Sequence, residues 1–357
     1  FCLSRGLGDV YKRQFLMLSA PSQLLMRNKD TLAQGKWLLV NPTDSHITEQ
    51  LNNPDIDVFH QYFDIYQQSC AAGNSSQHTF TAVIYTDDKF DGAVIYMPKS
   101  KEHAKMLIAN VAACLKESGS LLLVGENKGG VKSAAKILET ISSQVNKVDS
   151  ARHCALFGAQ IDKPVKPFKL AKWQSEIEIS VGGLDYKICS LPGVFNHGAI
   201  DLGTRVLLDN LPEIKTGRLL DFGCGAGVIG CYLGLKSPES EVVMSDVSAL
   251  AVHCSKESAN LNHINVKVVP SNGLMDVQGK FSAVYTNPPF HTGIQTDYSV
   301  TEEFIAQLKQ YLAKVGSLTL VANKFLRYSE LLEKRFSAVG LIAQTTKFSL
   351  YHCARIK

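Results

Sequence analysis

The sequence predicts an α/β protein in which a mainly parallel sheet, closed by an antiparallel strand pair, is built twice along the chain. Three observations predict it. Apolar strand runs alternate with helical patterns from Arg218 to Ile356, two segments of the first half recur in order in the second, and a lysine-rich, proline-punctuated stretch separates the halves. Alternating strands and helices imply crossover connections and hence parallel strands, and ordered recurrence is the mark of duplication.

The second half reads as strand Arg218 to Phe222, a helix from Val228, strand Val242 to Ser245, helix Ala249 to Asn262, then strands Val266 to Val269 and Ser282 to Thr286. A helix around Glu302 to Leu312, strand Ser317 to Ala322, a helix around Ser329 to Phe336 and an antiparallel pair over Ile342 to Ile356 complete it. In the first half, Phe90 to Pro98 parallels Phe281 to Pro288 if one inserted residue is allowed. Gly119-Ser120-Leu121-Leu122-Leu123-Val124 parallels Gly316-Ser317-Leu318-Thr319-Leu320-Val321.

At 357 residues the chain has length for about two domains. The expected division is a non-native leader at 1–16, a first domain at 17–162, a linker and entry segment at 163–185 and a second domain at 186–357. The boundary falls in the stretch Asp162-Lys163-Pro164-Val165-Lys166-Pro167-Phe168-Lys169-Leu170-Ala171-Lys172-Trp173, whose prolines disfavour helix. Its lysines suit either a solvated spacer or contact with phosphates. The leader carries +2 of the formal charge of +4, so global charge says little about nucleic acid.

Hydrophobic residues make up 45% of the chain and charged ones 20%, with no apolar run near the roughly 18 residues a membrane span needs. A soluble, non-membrane protein is expected. The nine cysteines show no CxxC pair or close Cys/His cluster, a pattern of reduced cytosolic thiols without a structural metal.

The chemistry concentrates in two places. Asp221-Phe222-Gly223-Cys224-Gly225-Ala226-Gly227 runs from a strand into a glycine turn where a ligand can approach the main chain and a helix begins with free N–H groups. A dinucleotide fingerprint would place the third glycine one residue later. Asp246 ends the next strand, where a carboxylate can accept ribose hydroxyls, and Asn272 follows the third, where its amide can meet an adenine. Further on, Asn287-Pro288-Pro289-Phe290 ends a strand. Its prolines remove donors, so the Asn287 side-chain oxygen and the Pro288 carbonyl can face one amine while Phe290 stacks on the ring that bears it.

The first half lacks this equipment. No such glycine turn follows a strand there, and the alignment with one insertion puts Met97 opposite Asn287. Gly125 to Ser133 imitates a phosphate loop, but Val131 separates Gly130 from Lys132, whereas lysine must directly follow the glycine. A glycine-rich turn is expected.

These motifs resemble the class I S-adenosylmethionine-dependent methyltransferases that modify amine or amide nitrogen. With Leu191-Pro192-Gly193-Val194-Phe195, Asp201-Leu202-Gly203, the run Asn287 to Thr296 and the duplicated half, the chain is similar to the RsmC family of small-subunit ribosomal RNA guanine-N2 methyltransferases. The resemblance implies two tandem Rossmann-like domains, each with a mainly parallel seven-stranded sheet and a closing antiparallel strand, the first degenerate and the second active. It implies S-adenosylmethionine held by Asp221, Gly223, Gly225, Gly227, Asp246 and Asn272. The guanine would be held by Asn287, Pro288 and Phe290, with Phe195 and Asp201 bordering the pocket. The partner would be 16S ribosomal RNA within the small subunit. Duplication lets one half bury a surface against the other, so a monomer is expected, and the cysteine pattern makes it cytoplasmic. The tetrapeptide alone also serves adenine N6 or glutamine amide acceptors, and a noncatalytic RNA-binding or assembly protein is the alternative from another class.

Overall fold

The computed structural model describes residues 18–73, 76–288, 294–326 and 328–357, with side chains at 134 and 294–300 left out of the description. The leader, as well as Pro289 and Phe290 of the tetrapeptide, lies outside the described residues. Two compact units divide between Lys169 and Leu170.

The first unit contains strands β1 (Trp37–Val40), β2 (Ile56–His60), β3 (His78–Phe80), β4 (Phe90–Tyr96), β5 (Leu115–Glu126), β6 (Val145–Ala151) and β7 (Cys154–Gln160). Its helices are α1 (Ala20–Arg27), α2 (Ile47–Gln50), α3 (Phe63–Ala71), α4 (Lys101–Ala112) and α5 (Ala134–Leu138). The strands lie in the order β3-β2-β1-β4-β5-β7-β6. β7 runs antiparallel to both neighbours. Val40, Ala93, Val94, Ile95, Leu121 and Leu123 are all wholly buried, as central strands covered on both faces require.

The second unit opens with a hairpin of β8 (Ser175–Val181) and β9 (Leu184–Ser190). It continues with β10 (Arg218–Phe222), β11 (Glu241–Asp246), β12 (Val266–Pro270), β13 (Phe281–Thr286), β14 (Leu312–Asn323), β15 (Phe336–Gln344) and β16 (Phe348–Ile356). Its helices are α6 (Leu202–Asp209), α7 (Val228–Lys236), α8 (Ala249–Leu261), α9 (Ile294–Tyr311) and α10 (Tyr328–Arg335). The order β12-β11-β10-β13-β14-β16-β15 repeats that of the first unit, strand for strand. In such a sheet the strand order reverses at β10, and ligands bind beyond the carboxyl ends of the strands there.

Three local readings are corrected. The linker and entry segment expected up to 185 is not all extended spacer: it contains β8, whose alternating Ile177, Ile179 and Val181 meet β9 across Gly182-Gly183. Helix α9 starts at Ile294 rather than near Glu302. Sheet register also removes the supposed insertion: Val40 pairs with Ile95 as Phe222 pairs with Thr286, and Gly92 pairs with Ser120 as Ala283 pairs with Ser317. Tyr96, not Met97, therefore stands at the position of Asn287. Matching the prolines rather than the strand pairing produced the slip.

The same register makes Leu39 the counterpart of Asp221 and His60 the counterpart of Asp246, each within its own unit. At the carboxyl ends of the first unit's strands, side chains bond to each other: Gln61 Oε1 accepts from Asn41 Nδ2 at 2.9 Å and meets His103 Nε2 at 2.8 Å, and Tyr96 bonds Ser22 at 2.7 Å. All five are buried. The glycines after β5 form the expected turn, leading into a single 3-10 turn and a five-residue helix. Lysines 163, 166 and 169 are exposed, while Val165 packs against the first unit's core and Phe168 lies 6.1 Å from the ring of Tyr85. Among the described residues no helix is long and apolar enough to cross a membrane.

Candidate active site

The glycine turn after β10 is held from below. Gly223 and Cys224 donate to the Ser245 carbonyl, and from α8 the hydroxyls of Ser255 and Ser258 donate to the carbonyls of Gly225 and Ala226 at 3.0 and 2.7 Å. Sequence reading missed both serines; their spacing of three on a helix face was the available signal. Gly227 is needed for packing: its φ is +83°, and a Cβ there would lie 3.1 Å from Ser255 Cα. Gly223 and Gly225 differ, since a Cβ on either would meet nothing within 4 Å. They leave open ground above the turn.

Asp221 is completely buried on β10. Its Oδ2 accepts from the Gly230 N–H at 2.8 Å near the start of α7, and its Oδ1 has no partner. Burial, reinforced by the charge of Asp246 and opposed by the Gly230 N–H, pushes its carboxyl up to about 7. An orphaned carboxylate oxygen in such a place costs free energy unless a ligand completes it.

Asp246 ends β11 with Oδ1 accepting from Ser248 N–H and Oδ2 from Gly225 N–H, both at 2.9 Å. Each oxygen keeps a lone pair for a further donor. Burial raises its pKa against those N–H bonds. The competing role of helix cap falls to Ser248, whose hydroxyl accepts from Ala251 N–H. Asn272 lies just past β12, half-exposed, with its N–H on Asp276 at 3.1 Å.

Asn287 follows β13 at the same edge. Its Nδ2 donates to Asp201 Oδ2 at 2.8 Å and to Thr204 Oγ1 at 3.0 Å. Asp201 is the N-cap of α6, and the same Oδ2 accepts from Thr204 N–H at 3.0 Å. A carboxylate only accepts, so the amide must turn its NH2 toward α6. Both amide hydrogens are then spent. Gly203 makes the approach possible, because a Cβ there would lie 2.9 Å from Asp201 Oδ2 and 3.3 Å from Asn287 Nδ2. The sequence pointed to Asp201 but not to Thr204, whose distance from Asn287 along the chain leaves no local signal.

Pro288 is buried beside Asn287, while Phe195 is 47% exposed in the loop before α6. Phe290 cannot be placed, lying outside the described residues. Asp221, Gly223, Gly225 and Asp246 thus share the turn, and Asn287 shares a hydrogen-bonded cluster with Asp201. Among the described residues, no group of three or more His, Cys, Asp or Glu side chains converges as a metal site would require.

Comparison with known proteins matches the first unit to the family model "Methyltransferase small domain N-terminal" over residues 22–177 and the second to "Methyltransferase small domain" over residues 185–352. The chain is 59% identical to a Pseudoalteromonas atlantica protein described as ribosomal RNA small subunit methyltransferase C, over 95% of this chain and 100% of that one. A protein of the same description from Alteromonas mediterranea is 38% identical over 94% and 99%. Among solved structures, the T. thermophilus 16S rRNA N2 G1207 methyltransferase (RsmC) in complex with AdoMet and guanosine aligns with a TM-score of 0.82 at 21% identity, covering 94% of this chain and 92% of that chain. At that identity the likeness establishes the shared fold.

Proposed function

The chain belongs to the ribosomal RNA small subunit methyltransferase C family, and from that premise we propose that its second unit transfers a methyl group from S-adenosylmethionine to the exocyclic N2 of a guanine in 16S ribosomal RNA. One observation carries the reading: Asp201 and Thr204 take both hydrogens of the Asn287 amide, so Oδ1 is left as an acceptor for a substrate NH2.

The turn fits the proposed cofactor. The orphaned Asp221 Oδ1 suits a cationic group nearby, the open ground over Gly223 and Gly225 suits a close approach to the main chain, and the spare lone pairs of Asp246 suit ribose hydroxyls. Asn272 is proposed for the adenine. Gly227 serves this site by seating the turn on α8. When bound, S-adenosylmethionine supplies an electrophilic methyl group.

The chain's own residues then have to position the nitrogen. Asn287 Oδ1 and the Pro288 carbonyl would accept from the two N2 hydrogens, favouring a pyramidal nitrogen with its lone pair directed at the methyl. They would also stabilise the positive charge that develops there. Neither group takes a proton, which leaves to solvent after transfer. Phe290 is proposed to stack on the extruded guanine and Phe195 to border it, replacing stacking lost from the RNA.

We take the acceptor to be met within the small ribosomal subunit, in the cytoplasm. Every residue of the proposed site belongs to the second unit of one chain, so the reading needs no second copy and we propose a monomer. The test is Asn287→Ala, assayed for labelled methyl transfer to RNA and for cofactor affinity. Turnover should fall about 100-fold, the scale of losing one preorganised polar group at a reacting centre, while cofactor affinity holds. Wild-type turnover in the variant would reject the role.

A further inference from the structure

Phe325 is 68% exposed, although its neighbours are firmly held. Lys324 N–H donates to the Lys347 carbonyl at 2.8 Å, Leu326 N–H donates to the Asn323 carbonyl at 3.0 Å, and the Leu326 side chain enters the core. The backbone is pinned on both sides of a ring that faces water. Most of its surface is left out of the core.

Its position connects it to the acceptor site. β14 lies parallel to β13, with Leu320 opposite Thr286, so Asn287 and the turn holding Phe325 lie beyond the same edge of the sheet. Asn323 pairs with Phe348 on β16, and the Phe348 ring borders Gly203, where a Cβ would lie 3.1 Å from Phe348 Cε1. The amide cluster and the turn that carries the exposed ring thus lie at one corner of the sheet. Lys324 and Lys347, joined by their backbone bond, are both exposed there. In the first unit, β5 is followed by Asn127-Lys128-Gly129-Gly130, with no aromatic residue. The ring occurs in the copy that has the amide cluster and is missing from the copy that lacks it.

Extruding a base for chemistry also unstacks its neighbours, and an exposed aromatic ring between cationic side chains is the usual protein substitute. We infer that Phe325, flanked by Lys324 and Lys347, is a stacking site for a nucleotide adjacent to the target base, with the ammonium groups on its phosphates. The inference rests on the RNA reading above.

The test uses the full chain with Phe325→Ala and Phe325→Tyr, and undermodified small ribosomal subunits as ligand. Since base–aromatic stacking is worth about 1–3 kcal/mol, the alanine variant should bind about tenfold more weakly and the tyrosine variant within about twofold of wild type. Unchanged affinity for S-adenosylmethionine checks the fold. A second ligand pair, an oligouridylate with one central guanosine and the same strand with abasic residues on both sides of it, separates stacking from a structural effect. Abasic flanks should weaken wild type and the tyrosine variant but cost the alanine variant little more. Equal costs in wild type and Phe325→Ala, or equal affinity of the two for subunits, would overturn the assignment. Wild-type protein that transfers no methyl to RNA would instead overturn the reading beneath it.

Discussion

Replacing Thr204 by valine removes one of the two acceptors that orient Asn287 while keeping the backbone N–H that Asp201 caps. Because Thr204 is 7% exposed and valine has nearly its shape, the change probes the hydroxyl alone. One Asn287 hydrogen is then left without its partner, and the 3.0 Å bond that helps hold the amide in place is gone. A neutral hydrogen bond of this kind contributes about 1 kcal/mol, so the rate of methyl transfer should fall about fivefold. Asp201→Ala goes further. It removes the charge-assisted bond at 2.8 Å, worth about 2 kcal/mol, and a helix cap worth about 1 kcal/mol, and should slow transfer about 30-fold while lowering the melting temperature. Asp201→Asn keeps the cap and should fall between them. Single-turnover transfer at saturating RNA and cofactor, beside calorimetric cofactor binding, separates the effects. Transfer within twofold of wild type in both Thr204→Val and Asp201→Ala would refute the idea that this cluster orients the amide.

Two further outcomes follow from buried groups. Asp221, raised to about 7, holds a proton in the folded apo protein that the unfolded chain releases near its ordinary value of 3.8. The native state therefore binds more protons between those values, and apo stability should fall as pH rises from about 4 through about 7, by up to about 4 kcal/mol. The raised Asp246 acts in the same direction. A cation bound beside Asp221 favours its ionised form, so cofactor affinity should rise with pH through about 7 with proton release, and Asp221→Asn should flatten both trends; calorimetry in buffers of different ionisation enthalpy measures this. In the first unit Leu39, His60 and Tyr96 replace Asp221, Asp246 and Asn287. One cofactor should bind per chain, and a stoichiometry of two would contradict the side-chain network read around Gln61.

The second unit's central strands were legible because Leu219, Leu220, Val243 and Val284 are buried on both faces and read as apolar runs. The glycine turn and Asn287 were legible because their chemistry is local in sequence. What stayed hidden depends on pairing across space. Thr204, Ser255 and Ser258 act through hydrogen bonds to residues far along the chain, and Tyr96 takes its place from sheet register. The β8–β9 hairpin did carry a local signal, alternation around Gly182-Gly183, but polar Glu176 and Glu178 on its outer face made it resemble the preceding lysine stretch.

The most direct measurement is mass spectrometry of nucleosides from undermodified small ribosomal subunits incubated with this protein and methyl-labelled S-adenosylmethionine. The account predicts label in N2-methylguanosine, formed about 100-fold more slowly with Asn287→Ala. Label in N6-methyladenosine, or none despite demonstrated cofactor binding, would contradict it.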